Sequence, residues 1–167
     1  MMNLFKPVYI LQFVLLVLIQ VLVLDHIMFL GYINPYIYIL LIIFLPVNTN
    51  RAYTLIFGFI LGLCIDIFND SGGVHAAASL SIAYLRPLIL RLSFGLSYDY
   101  KTINLSSADF TKQFSYLFLM VFIHHLFMFS LEYFSINYWI EILKNTLFSG
   151  IFSLITIFII LKLIKTQ

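Results

Sequence analysis

The sequence predicts an all-α integral membrane protein, a single domain over residues 1–167 with six transmembrane helices and both termini in the cytoplasm. Three observations carry that expectation. Of 167 residues, 63% are hydrophobic and 10% charged, against about 45–50% and 25% in a soluble domain, and the mean hydropathy is +1.07. Apolar runs recur along the whole chain, and six crossings of about 20 residues each leave only about 47 residues for loops and tails. Finally, the few basic residues fall almost entirely on one side of a six-span layout. This balance excludes a soluble enzyme, a disordered chain and a sizeable extramembrane domain. A net charge of +2 without a basic stripe excludes nucleic acid as a partner.

The first run, about Val8 to Leu24, follows Lys6 and is closed by Asp25-His26. No A-x-A site follows it, so it reads as an uncleaved span. The second, from Tyr32 or Tyr36 to Val47, is short and ends at Pro46 and Asn48-Thr49-Asn50-Arg51. The third covers Tyr53 to Phe68 and carries Asp66; Asn69-Asp70-Ser71-Gly72-Gly73 then makes a turn, in which glycine supplies positive φ. The fourth, His75 to Leu92, is interrupted by Arg86-Pro87, where proline removes a backbone donor and kinks the helix. Ser93 to Lys112 is the longest loop, the fifth run spans Phe114 to Phe134, and the sixth Trp139 to Leu161. Helix is the economical form for each run, because lipid offers no partner to backbone N–H and C=O groups. A barrel would need alternating ten-residue strands, which the sequence lacks.

Charge sets the orientation. Lys6, Arg51, Arg86, Arg91, Lys101, Lys112, Lys162 and Lys165 fall inside, and only Lys144 falls towards the other face. Asp25, Asp66, Asp70, Glu132 and Glu141 gather at the outer face. This is the asymmetry of the positive-inside rule. Tyr32, Tyr36, Tyr38, Tyr133, Tyr138 and Trp139 cluster near the outer ends, as an aromatic belt would.

Gly58, Gly62 and Asp66 recur at four-residue intervals and share one helix face. The glycines let a neighbouring helix come close. Asp66 then either contacts a partner or ligand, or caps a helix end through water or the Gly72-Gly73 amides. Gly73, His75 and Ala76-Ala77-Ala78-Ser79 open the next helix with small residues. Arg86 is a packing or partner contact, or else it snorkels to the inner headgroups. His124 and His125 point about 100° apart on a helix, so interhelical hydrogen bonds suit them better than a shared metal ion. Cys64 reads as a small apolar residue. No catalytic set, metal site or cofactor motif emerges.

The stretch Gly58 to Arg91, GFILGLCIDIFNDSGGVHAAASLSIAYLRPLILR, resembles the rod shape-determining MreD family. Members place a G-x-x-x-D pattern before a glycine turn and a helix opening near His-Ala, matched here by Gly62, Asp66, Gly73, His75 and Ala76. Gly31-Tyr32-Ile33-Asn34-Pro35-Tyr36 looks like the Bacteroidetes-type form. The resemblance implies a non-enzymatic component of the bacterial inner membrane, without cofactors, in the machinery that builds the lateral cell wall. Its implied partners are an MreC-like protein, the actin-like MreB, RodA with its penicillin-binding partner, and membrane lipids. The implied fold is similar to the six-helix substrate-binding subunits of energy-coupling-factor transporters. A small-molecule-binding subunit of that transporter type is the alternative function.

Overall fold

The computed structural model describes residues 7–95 and 108–165. Lys6, Lys101 and most of the expected Ser93–Lys112 loop lie outside the described residues, as does the side chain of Lys165. The described chain is helical: α1 (Pro7–Leu22), α2 (Leu40–Ile43), α3 (Arg51–Asn69), α4 (Val74–Phe94), α5 (Phe110–Tyr133) and α6 (Trp139–Lys165). Four of these, α3 to α6, are long and apolar enough to cross a membrane. They pack in sequence, α3 on α4, α4 on α5 and α5 on α6. Helix α1 lies against α3; its 16 residues rise about 24 Å. Among the described residues the only β pairing is a bridge between Phe29 and Ile33.

The second apolar run departs from the sequence expectation. It forms no helix of spanning length, only the four-residue turn of α2. Pro35 and Pro46 bracket it, and a helix confined to the ten residues between them would rise only about 15 Å. A looser path reaches further. Near Pro35 the segment is tied to α1, where Gln20 Nε2 donates to the Pro35 carbonyl at 3.0 Å. Near Pro46 it meets Arg86, twelve residues into α4 and so about 18 Å from that helix's start.

This irregular stretch is also deeply buried. Tyr38, Ile39, Ile42 and Ile43 are fully buried, and the helices supply Leu61, Ile65, Ile82, Leu90, Tyr116, Leu117, Met120 and Ile157 around them. The outer faces of α1 and α6 present Leu11, Leu15, Leu22, Ile151, Ile155 and Ile159. An apolar exterior wrapped around an interior that holds the polar groups is the arrangement lipid demands.

Charge is segregated between the ends. The turn between α3 and α4 lies with Asp25, joined to it by Asn69 Nδ2 donating to Asp25 Oδ2 at 2.8 Å. Asp66, Asp70, Glu132 and Glu141 belong to helix ends or turns at this acidic end. Arg51, Arg91 and Lys112 mark the opposite, basic end. Lys144, the base that falls with the acids, has its ammonium 4.0 Å from the centre of the Tyr32 ring, a cation–π contact.

Helices α3 and α4 approach each other closely along the glycine face of α3. A Cβ added at Gly62 would lie 2.3 Å from the His75 carbonyl oxygen and 2.5 Å from Ala76 Cα, both main-chain atoms. At Gly58 it would meet Ala83 Cβ at 2.9 Å, whereas at Gly150 its nearest neighbour is Val121 Cγ1 at 4.0 Å. Thermal unfolding in detergent should therefore rank the alanine variants. Gly62→Ala loses about 1–3 kcal/mol by overpacking and Gly58→Ala loses less. Gly150→Ala, inside α6 with room for a methyl group, gains up to about 1 kcal/mol of helix propensity.

Candidate functional site

Helix α4 begins at Gly73, whose φ of +96° places it in the left-handed region and whose missing side chain leaves the first amides of α4 uncapped. Asp66 fills the gap from α3. Its Oδ1 accepts from His75 N at 2.9 Å and its Oδ2 from Ala76 N at 2.8 Å. Ser71 Oγ donates to Oδ1 at 2.5 Å. The amides used are those of His75 and Ala76, in the first turn of the helix, rather than those of the glycine pair. A carboxylate at a helix N-terminus also meets the positive end of the helix dipole, and charge-assisted bonds to N–H groups are the strong kind. At 5% exposure the acid stands away from water, with three donors holding it.

Arg86 is placed differently from one of the two sequence expectations. It does not snorkel to headgroups: it is 3% exposed and turned inward onto the irregular segment. Its guanidinium donates to the carbonyls of Ile43, Leu45 and Pro46. Nε donates to Tyr116 Oη at 3.2 Å, and that hydroxyl donates to the Ile43 carbonyl at 3.2 Å. Those carbonyls lie at the end of α2 and just beyond it, where the Pro46 carbonyl also accepts from Thr49 N at 3.1 Å and Thr49 Oγ1 at 2.7 Å. A planar, permanently charged fork with five donors suits several oxygens at once.

The histidines of α5 diverge. His125 Nδ1 lies 2.7 Å from the Val121 carbonyl, which can only accept, so this nitrogen carries the proton. Nε2 is then the acceptor for the Ser153 hydroxyl at 3.1 Å. Ser153 Oγ in turn accepts from Tyr36 N at 2.8 Å. His124 Nε2 faces Tyr38 Oη at 2.6 Å, and the same oxygen lies 2.9 Å from His75 Nδ1. Tyr38 has one proton for two ring nitrogens, so the row His75–Tyr38–His124 holds its hydrogen bonds in one direction or the other. His124 Nδ1 has no hydrogen-bond partner among the described residues.

Sequence reasoning placed Tyr38 in an aromatic belt; it is fully buried instead. It passed over Gln20, whose Oε1 accepts from Ile37 N at 2.8 Å and Tyr38 N at 3.3 Å, and also Tyr116 and Ser153. The available signal was a polar side chain inside an apolar run, as Gln20 is. Among the described residues, no three His, Cys, Asp or Glu side chains are grouped to hold a metal ion.

Above His75, at the acidic end, lies a cleft of about 560 Å³ lined by Tyr36, Asn69, Asp70, Ser71, His75 and Glu132 among others. The Tyr36 and His75 rings pack with centroids 5.8 Å apart. Asp66, Gly73 and His75 are thus neighbours beneath one turn. Gly58 and Gly62 lie along the α3–α4 seam, Arg86 lies deep towards the basic end, and His124 and His125 stand on α5. No family model, curated protein or solved structure matches the chain.

Two substitutions probe this interior through unfolding in detergent. Arg86→Met leaves the buried Leu45 carbonyl without its donor and the Ile43 carbonyl to Tyr116 alone, at about 1–3 kcal/mol for the unpaired group; Arg86→Lys recovers only part of the loss, because an ammonium lacks the planar fork. Tyr38→Phe deprives His75 and His124 of their common partner and costs about 1–3 kcal/mol.

Proposed function

We propose that the chain is a non-enzymatic scaffold of the MreD type in the bacterial inner membrane, acting in the machinery that elongates rod-shaped cells. The observation that carries this reading is the use made of the two deeply buried charges. Asp66 is held by the amides of α4, and Arg86 donates to the carbonyls of residues 43, 45 and 46. Each stabilises the chain's own backbone, which leaves neither free to polarise a substrate. The turns at the acidic end, by contrast, offer apolar side chains outward: Leu30, Phe134 and Ile136 are 69%, 84% and 83% exposed. Such positions are suited to the membrane-proximal part of an MreC-like protein. Arg51, Arg91 and Lys112 at the basic end suit anionic lipid, at about 1 kcal/mol for each base near the surface, or a cytoplasmic MreB filament. RodA and its penicillin-binding partner complete the assembly in this reading.

In this reading the chain crosses six times with both termini cytoplasmic, and the irregular residues between α1 and α3 make the second crossing. Non-helical backbone at membrane depth is tolerated where protein surrounds it, as α1, α4, α5 and α6 do through Gln20, Arg86, Tyr116 and Ser153.

A second reading, a small-molecule-binding subunit of the energy-coupling-factor transporter type, is favoured by the cleft above His75. A thermal-shift screen with vitamins and nucleobases separates the two, because the scaffold reading expects no gain with those transported classes of ligand.

On the scaffold reading, the detergent-solubilised chain retains an MreC-like protein on purification, and its depletion rounds rod-shaped cells. Loss of both results would end that reading. For topology, single cysteines in a Cys64→Ser background should react with impermeant maleimide from outside at Asn137→Cys and from inside at Lys112→Cys. Labelling of both from one side would remove the six-span arrangement.

A further inference from the structure

The cleft at the acidic end has a chemical character of its own, separate from the scaffold reading. Its lining includes two carboxylates, Asp70 and Glu132, and no Lys or Arg. Neither acid forms an ion pair among the described residues, where the single salt bridge joins Lys112 and Asp109. Its floor is His75, 6% exposed. One edge of that imidazole is occupied, since Nδ1 meets Tyr38 Oη. The other edge, Nε2, makes no hydrogen bond among the described residues, and it is not among the polar atoms sealed from space; the space that His75 lines is the cleft. Beside it stands the Tyr36 ring, an aromatic surface of the kind that attracts cations.

We propose that this cleft binds a small organic amine in its ammonium form, with Asp70, Glu132 and His75 Nε2 accepting its N–H groups beside the Tyr36 ring. The volume of about 560 Å³ falls within the range of small-molecule sites, about 300–1,000 Å³. A bare metal ion fits less well, because no three ligating side chains converge there among the described residues. An anion would meet two carboxylates and no base. An ammonium also sets the direction of the buried row. With Nε2 accepting, His75 Nδ1 carries the proton and donates to Tyr38 Oη, and Tyr38 donates onward to His124 Nε2.

Calorimetric titration of the full chain in phosphatidylcholine nanodiscs tests this, with ethanolamine, putrescine and spermidine as probes and tetramethylammonium, succinate and glycerol as controls. At least one of the three amines should saturate the protein with a Kd below about 10 mM, and the controls should bind more weakly or not at all. Glu132→Gln and Asp70→Asn change exposed side chains and should leave the fold intact by circular dichroism. Each should weaken the amine at least about tenfold, the loss of one charge-assisted bond. The proposal is overturned if no amine saturates in that range, if succinate or tetramethylammonium binds as tightly, or if both variants keep wild-type affinity. A partner protein that fails to co-purify would sink the scaffold reading and leave this result untouched.

Discussion

The fold depends on how an unwound stretch of backbone is kept satisfied where water is scarce. Between Pro35 and Pro46 the chain pairs its own backbone only through the short turns around α2, which leave over peptide groups at both ends, and a peptide group left unpaired in an apolar interior costs several kcal/mol. The bundle answers with side chains placed at intervals along the stretch. Gln20 accepts two amides and donates to a carbonyl, Ser153 accepts a third amide, and Arg86 with Tyr116 takes the carbonyls at the far end. Each of these side chains would be expensive in lipid alone. The polar residues of the helices and the irregular core therefore justify each other.

A second economy operates at the α3–α4 seam. Glycine at positions 58 and 62 brings two backbones together, and the same closeness carries the Asp66 carboxylate to the amides that open α4. With bulkier residues at 58 and 62, the acid would stand too far away to serve as that cap. Asp70 and Gly73, both with positive φ, turn the chain sharply enough for both effects. The cleft is what this turn leaves between itself and the end of α5.

Much of this could be read in the sequence, for physical reasons. Lipid leaves few choices for an apolar run of about 20 residues, so α3 to α6 follow from composition and length. The four-residue spacing of Gly58, Gly62 and Asp66 is a helical periodicity, which put them on one face. Other features depend on tertiary partners. The run from Tyr36 to Val47 carries no charged or amide side chain, yet its path turns on Gln20, Arg86 and Ser153 being at hand, and hydropathy carries no record of distant donors and acceptors. Tyr38 looked like an interfacial tyrosine because the chain there was assumed to be a helix end. The row His75–Tyr38–His124 joins three separate segments, and no local pattern announces it.

The order in which the chain is made bears on the Arg86, Tyr116 and Ser153 contacts. Synthesis delivers residues 36–46 early, while three of the side chains that complete their hydrogen bonding come from α4, α5 and α6. Gln20 alone precedes them. Until the later helices have entered the bilayer, the segment's own turns leave the Tyr36 amide and the Leu45 carbonyl without the partners they have in the finished fold. A chain cut short before Ser153 would leave the Tyr36 amide without its acceptor. Residues made early thus depend on polar side chains made late, and those side chains on the later helices act as the latch that holds them.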